Sequence, residues 1–185
     1  LAVAAHQVAA QLWLFMALIV DALAVAAQAL VARYLGAGKP ERARLTLRYA
    51  AMIAVAFGAA VSVLMQFAAE PAVALFTDPA SPGGAEVVRL GGQYMRGYVW
   101  DCIFAGVHFC FSGYFCACGR SGISFMHNVA SIILVRVPGV YLTSKYFAAT
   151  LFPMGLATTA GSLLSVAICA AAYAVITKKE RVARA

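Results

Sequence analysis

The sequence predicts an all-α integral membrane protein with about five transmembrane helices. Of its 185 residues 64% are hydrophobic and only 11% are charged, and the mean hydropathy is +0.86. A soluble domain carries about 25% charged residues, so nearly all of this chain is expected to lie in a membrane. The net charge of +7 comes largely from residues at the ends of apolar stretches, not from an aromatic and basic stripe. We therefore expect no nucleic-acid partner.

Five apolar segments have about the 20 residues that a transmembrane helix needs. The predicted spans are approximately residues 5–32, 47–69, 88–115, 123–144 and 154–176. They form a transmembrane lobe over residues 1–177, followed by a basic tail over residues 178–185. The chain begins with Leu1, and its opening apolar stretch is too long for a signal peptide. We expect it to be part of a longer protein.

The connections between the spans contain helix stop and start signals. Gly36 and Gly38 favour the end of the first span, and Pro40 followed by Glu41 favours the start of a new helix. The second connection, residues 77–84, is a cluster of turn-forming residues. A proline also precedes the last span.

Lysine and arginine are distributed unevenly between the two sides of the predicted membrane. The first connection with its flank, the third connection and the tail hold five, one and four of them. The second connection holds none and the fourth holds only Lys145. Because basic residues favour the cytoplasmic side, this asymmetry predicts that the first and third connections and the C-terminus are cytoplasmic. We expect a multi-pass protein of the plasma (inner) membrane.

The first span carries a single charged residue, Asp21, in an otherwise apolar stretch. At about 100° per residue, Gln7, Gln11, Asp21 and Gln28 share an arc of roughly 100° on one helix. A carboxylate at bilayer depth is energetically costly and usually functional. The arc is therefore expected to face protein or water and not lipid.

The third span repeats this pattern around a second carboxylate. Tyr94, Tyr98, Asp101, His108 and Ser112 fall within roughly 80° on one helix. Such a face suits either a helix–helix seam or the wall of a water-accessible cavity. Two carboxylates on separate spans favour the cavity, because a seam needs hydrogen bonds but no charge. The candidate ion- or substrate-binding residues are Asp101, Tyr98, His108, Asp21, Gln11 and Ser112.

The last two spans carry polar residues that suit helix packing. Ser124, Asn128 and Ser131 share a side of the fourth span, and small polar residues at such spacing usually let membrane helices approach closely. The same applies to Thr158, Ser162, Ser165 and Cys169 of the fifth span. Arg136 and Pro138 add a charge and a kink to the fourth span, and the arginine must reach the interface or find a carboxylate. His6 and His127 are not expected to belong to a site.

No sequence motif for an enzyme, a nucleotide site or a structural metal is present. Gly38-Lys39 lacks the other P-loop residues, and neither a nucleophile elbow nor a zinc-protease motif occurs. The five cysteines, at positions 102, 110, 116, 118 and 169, have no ligand spacing and are expected to be packing residues. We expect no enzymatic activity and no resident cofactor or metal.

Four segments in order resemble the multidrug and toxic compound extrusion (MATE) family. They are residues 5–9 (AHQVA), residues 35–39 (LGAGK) with the basic run Arg42-Ala43-Arg44, residues 109–115 (FCFSGYF) with Cys118-Gly119-Arg120-Ser121, and residues 134–138 (LVRVP). The resemblance spans almost the whole chain. It implies part of the C-terminal six-helix lobe of a twelve-helix bacterial transporter, without the first helix of that lobe.

The resemblance also implies a function and partners. Members of this family exchange Na⁺ or H⁺ for bulky organic cations, so it implies multidrug efflux by cation-coupled antiport. The family's cation-linked acid lies on the helix that Asp101 occupies, about one turn away, whereas Asp21 matches no family role. The implied partners are membrane lipid, cationic organic small molecules and the N-terminal lobe of the same protein.

Two other functions compete with this interpretation. A flippase for lipid-linked or oligosaccharide cargo of the same superfamily would need a cavity rich in basic residues for the pyrophosphate, and only Arg136 is available for this role. An intramembrane aspartyl protease would need two aspartates on two helices, which Asp21 and Asp101 provide. Such proteases also carry a GxGD pattern, whereas Tyr98-Val99-Trp100 precedes Asp101 here.

Overall fold

The computed structural model describes residues 1–147 and 151–182, and these residues form helices joined by short connections. The helices are α1 (Ala2–Gly36), α2 (Pro40–Ala74), α3 (Gly84–Tyr98), α4 (Asp101–Ala117), α5 (Ser121–Ser131), a π-helical segment (Ile132–Arg136), α6 (Val137–Tyr146) and α7 (Phe152–Val182). No strand occurs within the described ranges. The predicted all-α fold is confirmed.

The expected number of spans is also confirmed. Four helical stretches are long and apolar enough to cross a membrane: Ala2–Gly36, Pro40–Ala74, Ser121–Tyr146 and Phe152–Lys179. Helices α3 and α4 together are also long and apolar enough to cross a membrane, but they are bent by 47° at the residues between them. If this bent pair counts as one span, the number of spans is five. The predicted span over residues 88–115 is therefore a broken helix and not a continuous one.

Glycines in the left-handed conformation end two of the helices. Gly38 has a φ of 67° and Gly119 a φ of 72°, a region that suits glycine because it has no Cβ. The chain then folds back, so the amide of Lys39 donates to the carbonyl of Tyr34 at 2.8 Å. Pro40 follows as the first residue of α2, as the sequence predicted.

Small residues let the helices approach closely. A Cβ on Gly106 of α4 would lie 2.9 Å from the Cβ of Ala54 on α2 and 3.0 Å from a methyl of Val20 on α1. The buried core between these helices contains several alanines, among them Ala24 and Ala27 of α1. This is the packing that membrane helices use where apolar surface alone gives no driving force.

The break between α3 and α4 interrupts the backbone hydrogen bonds of the helix, and the neighbouring helices supply side-chain donors to its carbonyls. Gln66 Nε2 donates to the carbonyl of Arg96 (3.1 Å) and Thr159 Oγ1 to that of Gly97 (3.3 Å). The carbonyl of Val99 accepts both from Ser62 Oγ (3.0 Å) and from the amide of Cys102 (3.0 Å). An unpaired carbonyl in lipid costs several kcal/mol, so broken helices persist at membrane depth only where the protein satisfies them. Helices α2 and α7 thus stabilise the break.

The last two predicted spans each differ from a regular helix in one respect. The expected kink near Pro138 is preceded by the π-helical segment, where the amide of Val137 donates to the carbonyl of Ile132, five residues earlier. Helix α7 continues through Lys178 and Lys179 to Val182, so the described part of the predicted basic tail is helical. The remainder of that tail, residues 183–185, lies outside the described residues.

Candidate functional site

Asp101 is the first residue of α4 and is completely buried, with 0% of its surface exposed. Neither carboxylate oxygen has a hydrogen-bond partner within the described residues. The hydroxyl of Ser162 and the indole nitrogen of Trp13 lie close to it without forming a hydrogen bond with either oxygen. A buried carboxylate without donors is unusual, because its desolvation is not compensated.

Arg136 is the cation closest to this carboxylate. Its Nη2 atom lies 3.8 Å from Asp101 Oδ1, which is ion-pair distance but longer than a charge-assisted hydrogen bond. The same Nη2 atom donates to the hydroxyl of Ser162 at 2.6 Å. We refer to Asp101, Arg136, Ser162 and Trp13 together as the break site.

The π-helical segment turns Arg136 toward the protein interior. Ser131, at the end of α5, is buried and donates to the carbonyl of Gly161 at 2.6 Å. In a regular helix Arg136, five residues later, would lie about 140° away from Ser131. The wider π turn takes up one additional residue, which reduces this angle to about 40° and directs Arg136 toward α7.

Gly161 provides the space for the arginine side chain. A Cβ at this position would lie 2.5 Å from Arg136 Cγ and 2.9 Å from Arg136 Nε. Any larger residue would therefore displace the guanidinium from Asp101. The position of Arg136 thus depends on the π-helical segment of one span and a glycine of the next.

Aromatic rings connect the break site with α1. Trp13 stacks on Tyr98, with ring centroids 5.1 Å apart and an interplanar angle of 6°. Tyr98 also contacts Tyr94 at 5.0 Å, and Tyr94 contacts His6 at 4.8 Å. Tyr98 is the last residue of α3 and is buried, so its ring packs against α1 directly beside the break.

A second polar group, the histidine cluster, consists of His108, Ser112 and His127. Ser112 Oγ and His127 Nε2 are 2.7 Å apart, and the two imidazole centroids are 5.5 Å apart. Both histidines are buried, and both ring nitrogens of His108 lack a hydrogen-bond partner within the described residues. His108 lies seven residues after Asp101 on α4, a distance of about 10 Å along the helix axis.

Three of the four residues in the predicted polar arc of α1 lie on the exposed side of this helix, and Gln28 is half-buried beside Gly113 of α4. Gln7, Gln11 and Asp21 are exposed, whereas the buried residues of α1 are small and apolar. These side chains therefore point away from the other described helices, and Asp21 and Asp101 have different surroundings. An exposed polar face on a membrane helix needs water or another protein segment beside it.

The six predicted site residues thus separate into three places. Tyr98 and Asp101 lie at the break, His108 and Ser112 lie in the histidine cluster, and Gln11 and Asp21 lie on the exposed face of α1. Sequence analysis did not assign Arg136, Ser162, Trp13 or His127 to a site. The spacing of His127 from Ser124 and Ser131 placed it on the polar face of its span, a signal that was available but not used.

The break site can bind a small cation or a proton. Its carboxylate has unpaired oxygens, and it belongs to a bent helix whose neighbours already satisfy the backbone. Charged groups inside membrane spans commonly mark ion pathways. Of the five cysteines predicted to be packing residues, Cys102, Cys110 and Cys169 are buried and Cys118 packs half-buried against the core, whereas Cys116 is exposed.

A comparison with models of protein families matches the MatE family over residues 1–142. This match covers α1 to α5, the π-helical segment and most of α6. No curated protein and no solved structure matches the chain.

Proposed function

The chain belongs to the MatE family of transporters, and we propose that it forms part of a secondary active transporter that exchanges Na⁺ or H⁺ for organic cations. The observation that carries this proposal is the completely buried carboxylate of Asp101 at a break in a membrane helix. Family membership supports transport, and the chemistry of the break site supports coupling to a cation.

Asp101 would bind the coupling ion. A charged carboxylate at 0% exposure is unfavourable unless a proton or a cation neutralises it. Binding of either species therefore stabilises the site strongly. For this ion to drive the transport cycle, the two access states of the transporter must differ in their affinity for it.

The exposed arc of α1 would contact the cargo. Asp21 supplies a negative charge for an organic cation, and Gln7 and Gln11 supply hydrogen bonds. Around them α1 exposes large apolar side chains such as Phe15 and Leu18, which are 61% and 60% exposed. A face that combines charge with apolar area suits bulky organic cations better than small hydrophilic solutes.

The two alternative functions have less support from the described residues. A flippase would need basic groups that are available to a pyrophosphate, but Arg136 is directed toward Asp101 and Ser162. An intramembrane aspartyl protease would need two facing carboxylates, but Asp21 is exposed and Asp101 is buried.

We propose the same partners as the family resemblance implies: membrane lipid, an N-terminal lobe of the same protein and cationic small molecules. We also propose that the transporter lies in the plasma membrane with its C-terminus in the cytoplasm.

The substitution Asp101→Asn tests this proposal because it preserves shape and removes the charge. In the full-length protein reconstituted in liposomes, we expect normal expression and loss of efflux driven by an imposed Na⁺ or H⁺ gradient. Asp78→Asn is the matched control, since Asp78 lies in the exposed connection between α2 and α3. Wild-type efflux by the Asp101→Asn variant would contradict the proposed role.

A further inference from the structure

Asp101 has two competing cationic partners. One is the proposed coupling ion, and the other is Arg136, which already lies beside the carboxylate. The guanidinium shares its Nη2 atom between Ser162 at 2.6 Å and Asp101 at 3.8 Å. The neutral hydroxyl thus holds the hydrogen bond, while the carboxylate attracts the guanidinium at longer range. Buried arginine–carboxylate pairs more often form two short parallel hydrogen bonds.

This arrangement is compatible with movement of the guanidinium between two partners. Arg136 Nε has no hydrogen-bond partner within the described residues, and the side chain is 26% exposed. Ser162 is fully buried and fixed on α7, so it can keep the guanidinium when Asp101 is neutralised by another species. A short movement toward Asp101 would complete the ion pair.

We propose that Arg136 is a tethered cation that competes with the coupling ion for Asp101. This inference rests on the proposed function of Asp101 as the coupling-ion site. During the ion-free part of the cycle, the guanidinium serves as the counter-charge that partly neutralises the buried carboxylate. When the ion binds, like charges repel, and the guanidinium stays with Ser162.

A competing internal cation makes ion release easier and ion binding weaker. Removing its charge should therefore tighten ion binding, which is the opposite of what a purely structural defect would do. Linked sites usually change each other's affinity by about 5- to 150-fold. We expect a change of about tenfold.

Two substitutions test the inference independently. Arg136→Gln removes the charge, and Gly161→Ala displaces the side chain because the new Cβ would lie 2.5 Å from Arg136 Cγ. Gly122→Ala is the matched control, since a Cβ on this helical glycine meets nothing within 4 Å. The measurement is the half-saturating Na⁺ or H⁺ concentration for ethidium efflux by the full-length protein in liposomes.

We expect this concentration to fall about tenfold for Arg136→Gln, to fall for Gly161→Ala, and to stay unchanged for Gly122→Ala. The maximal rate should also fall, because the ion leaves more slowly. If Arg136→Gln does not fold, the Gly161→Ala result alone decides. Suppose that Asp101→Asn abolishes efflux, but that the half-saturating ion concentration of Arg136→Gln and Gly161→Ala is unchanged or higher. This result would overturn the inference and leave the proposed function intact. Undiminished efflux by Asp101→Asn would overturn both.

A groove that is lined by none of the break-site residues carries a second, independent inference. It has a volume of about 840 Å³ and lies between α2, α4 and α7. Arg44 and Arg48 line one end, and Met52, Phe111 and Tyr173 are among its apolar lining residues. From Arg44 to Ala56, the last α2 residue that lines the groove, the helix rises about 18 Å, close to the roughly 15 Å of one hydrocarbon leaflet.

We infer that this groove binds one anionic phospholipid, with its headgroup at Arg48 and an acyl chain along the apolar part. Glu41 neutralises Arg44 through an ion pair of 2.9 Å, so Arg48 supplies the net positive charge at the groove end. Basic pockets between membrane helices recognise anionic headgroups in this way. Length, charge and apolar lining thus agree on a lipid as the occupant.

Native mass spectrometry of the full-length protein with phosphatidylglycerol and phosphatidylcholine of identical chains tests this site. We expect preferential retention of phosphatidylglycerol, loss of that preference in Arg48→Gln, and loss of both lipids in the groove-filling Met52→Trp. Arg42→Gln is the matched control, because Arg42 is exposed nearby and does not line the groove. Equal retention of both lipids by the wild type would overturn the inference, as would a loss of preference in Arg42→Gln as large as that in Arg48→Gln. A groove covered by another segment of the protein would also overturn it.

Discussion

Gly155 allows α7 to pack against the last turn of α3, and replacing it with alanine should destabilise the protein. A Cβ at this position would lie 2.6 Å from the backbone nitrogen of Tyr98, 2.7 Å from the carbonyl oxygen of Tyr94 and 2.9 Å from the carbonyl carbon of Gly97. All three are backbone atoms, so no side-chain rotation can relieve the overlap. An ordinary contact begins near 3.4 Å, and the two helices must therefore separate by about 0.8 Å.

The expected magnitude follows from three contributions to the free energy of unfolding. Overpacking costs about 1–3 kcal/mol. Separation of the helices also weakens the 3.3 Å hydrogen bond from Thr159 to the carbonyl of Gly97, worth about 0.5–1.5 kcal/mol. Alanine recovers up to about 1 kcal/mol as a better helix former than glycine. We expect a net loss of about 1–3 kcal/mol.

The assay is unfolding of the purified protein in detergent, followed by tryptophan fluorescence. Trp13 stacks on Tyr98 beside the break, and Trp100 lies in the break itself, so both report on this region. The matched control is Gly122→Ala, in which the new Cβ has no close neighbour and stability should stay the same or rise. If Gly155→Ala proves as stable as that control, α7 does not contact α3 as described.

Three further outcomes are expected. Ser62→Ala removes the buried 3.0 Å hydrogen bond to the carbonyl of Val99 and should lower the free energy of unfolding by about 1 kcal/mol in the same assay. Ser144 is exposed, so Ser144→Ala should leave this free energy unchanged. In a cysteine-free background, an impermeant thiol reagent added outside cells should label Ser81→Cys and not Lys39→Cys; the reverse pattern would invert the proposed orientation. Asp21→Asn should weaken binding of organic cations and leave the half-saturating coupling-ion concentration unchanged; a change in that concentration would place Asp21 in the ion site.

The fold could be predicted because membrane spans are specified by length and hydropathy, which are local properties. The break between Tyr98 and Asp101 could not, since no proline marks it and its carbonyls are satisfied by Ser62 and Gln66 of one helix and Thr159 of another. Those partners are 30 or more residues away in sequence. Only the assembled helices reveal that the break is stabilised.

The site was predicted in part for a similar reason. Asp101 was identified because a buried charge is conspicuous in an apolar span, and Arg136 was expected to find a carboxylate or the interface. Its pairing with Asp101 could not be derived, because a regular helix would turn Arg136 away from Ser131. His127 was set aside as peripheral, although it is fully buried and contacts Ser112.

The π-helical segment has a consequence for how this protein can change over generations. One additional residue in a helical turn corresponds to a single inserted codon, and the wide π turn absorbs that residue without rotating the flanking helices against each other. Removing one codon between Ile132 and Val135 would restore a regular helix with the arginine four residues after Ser131, again about 40° away. Both side chains would then still point toward α7. Homologous chains are therefore expected to tolerate the loss of one residue here better than a length change elsewhere in this span.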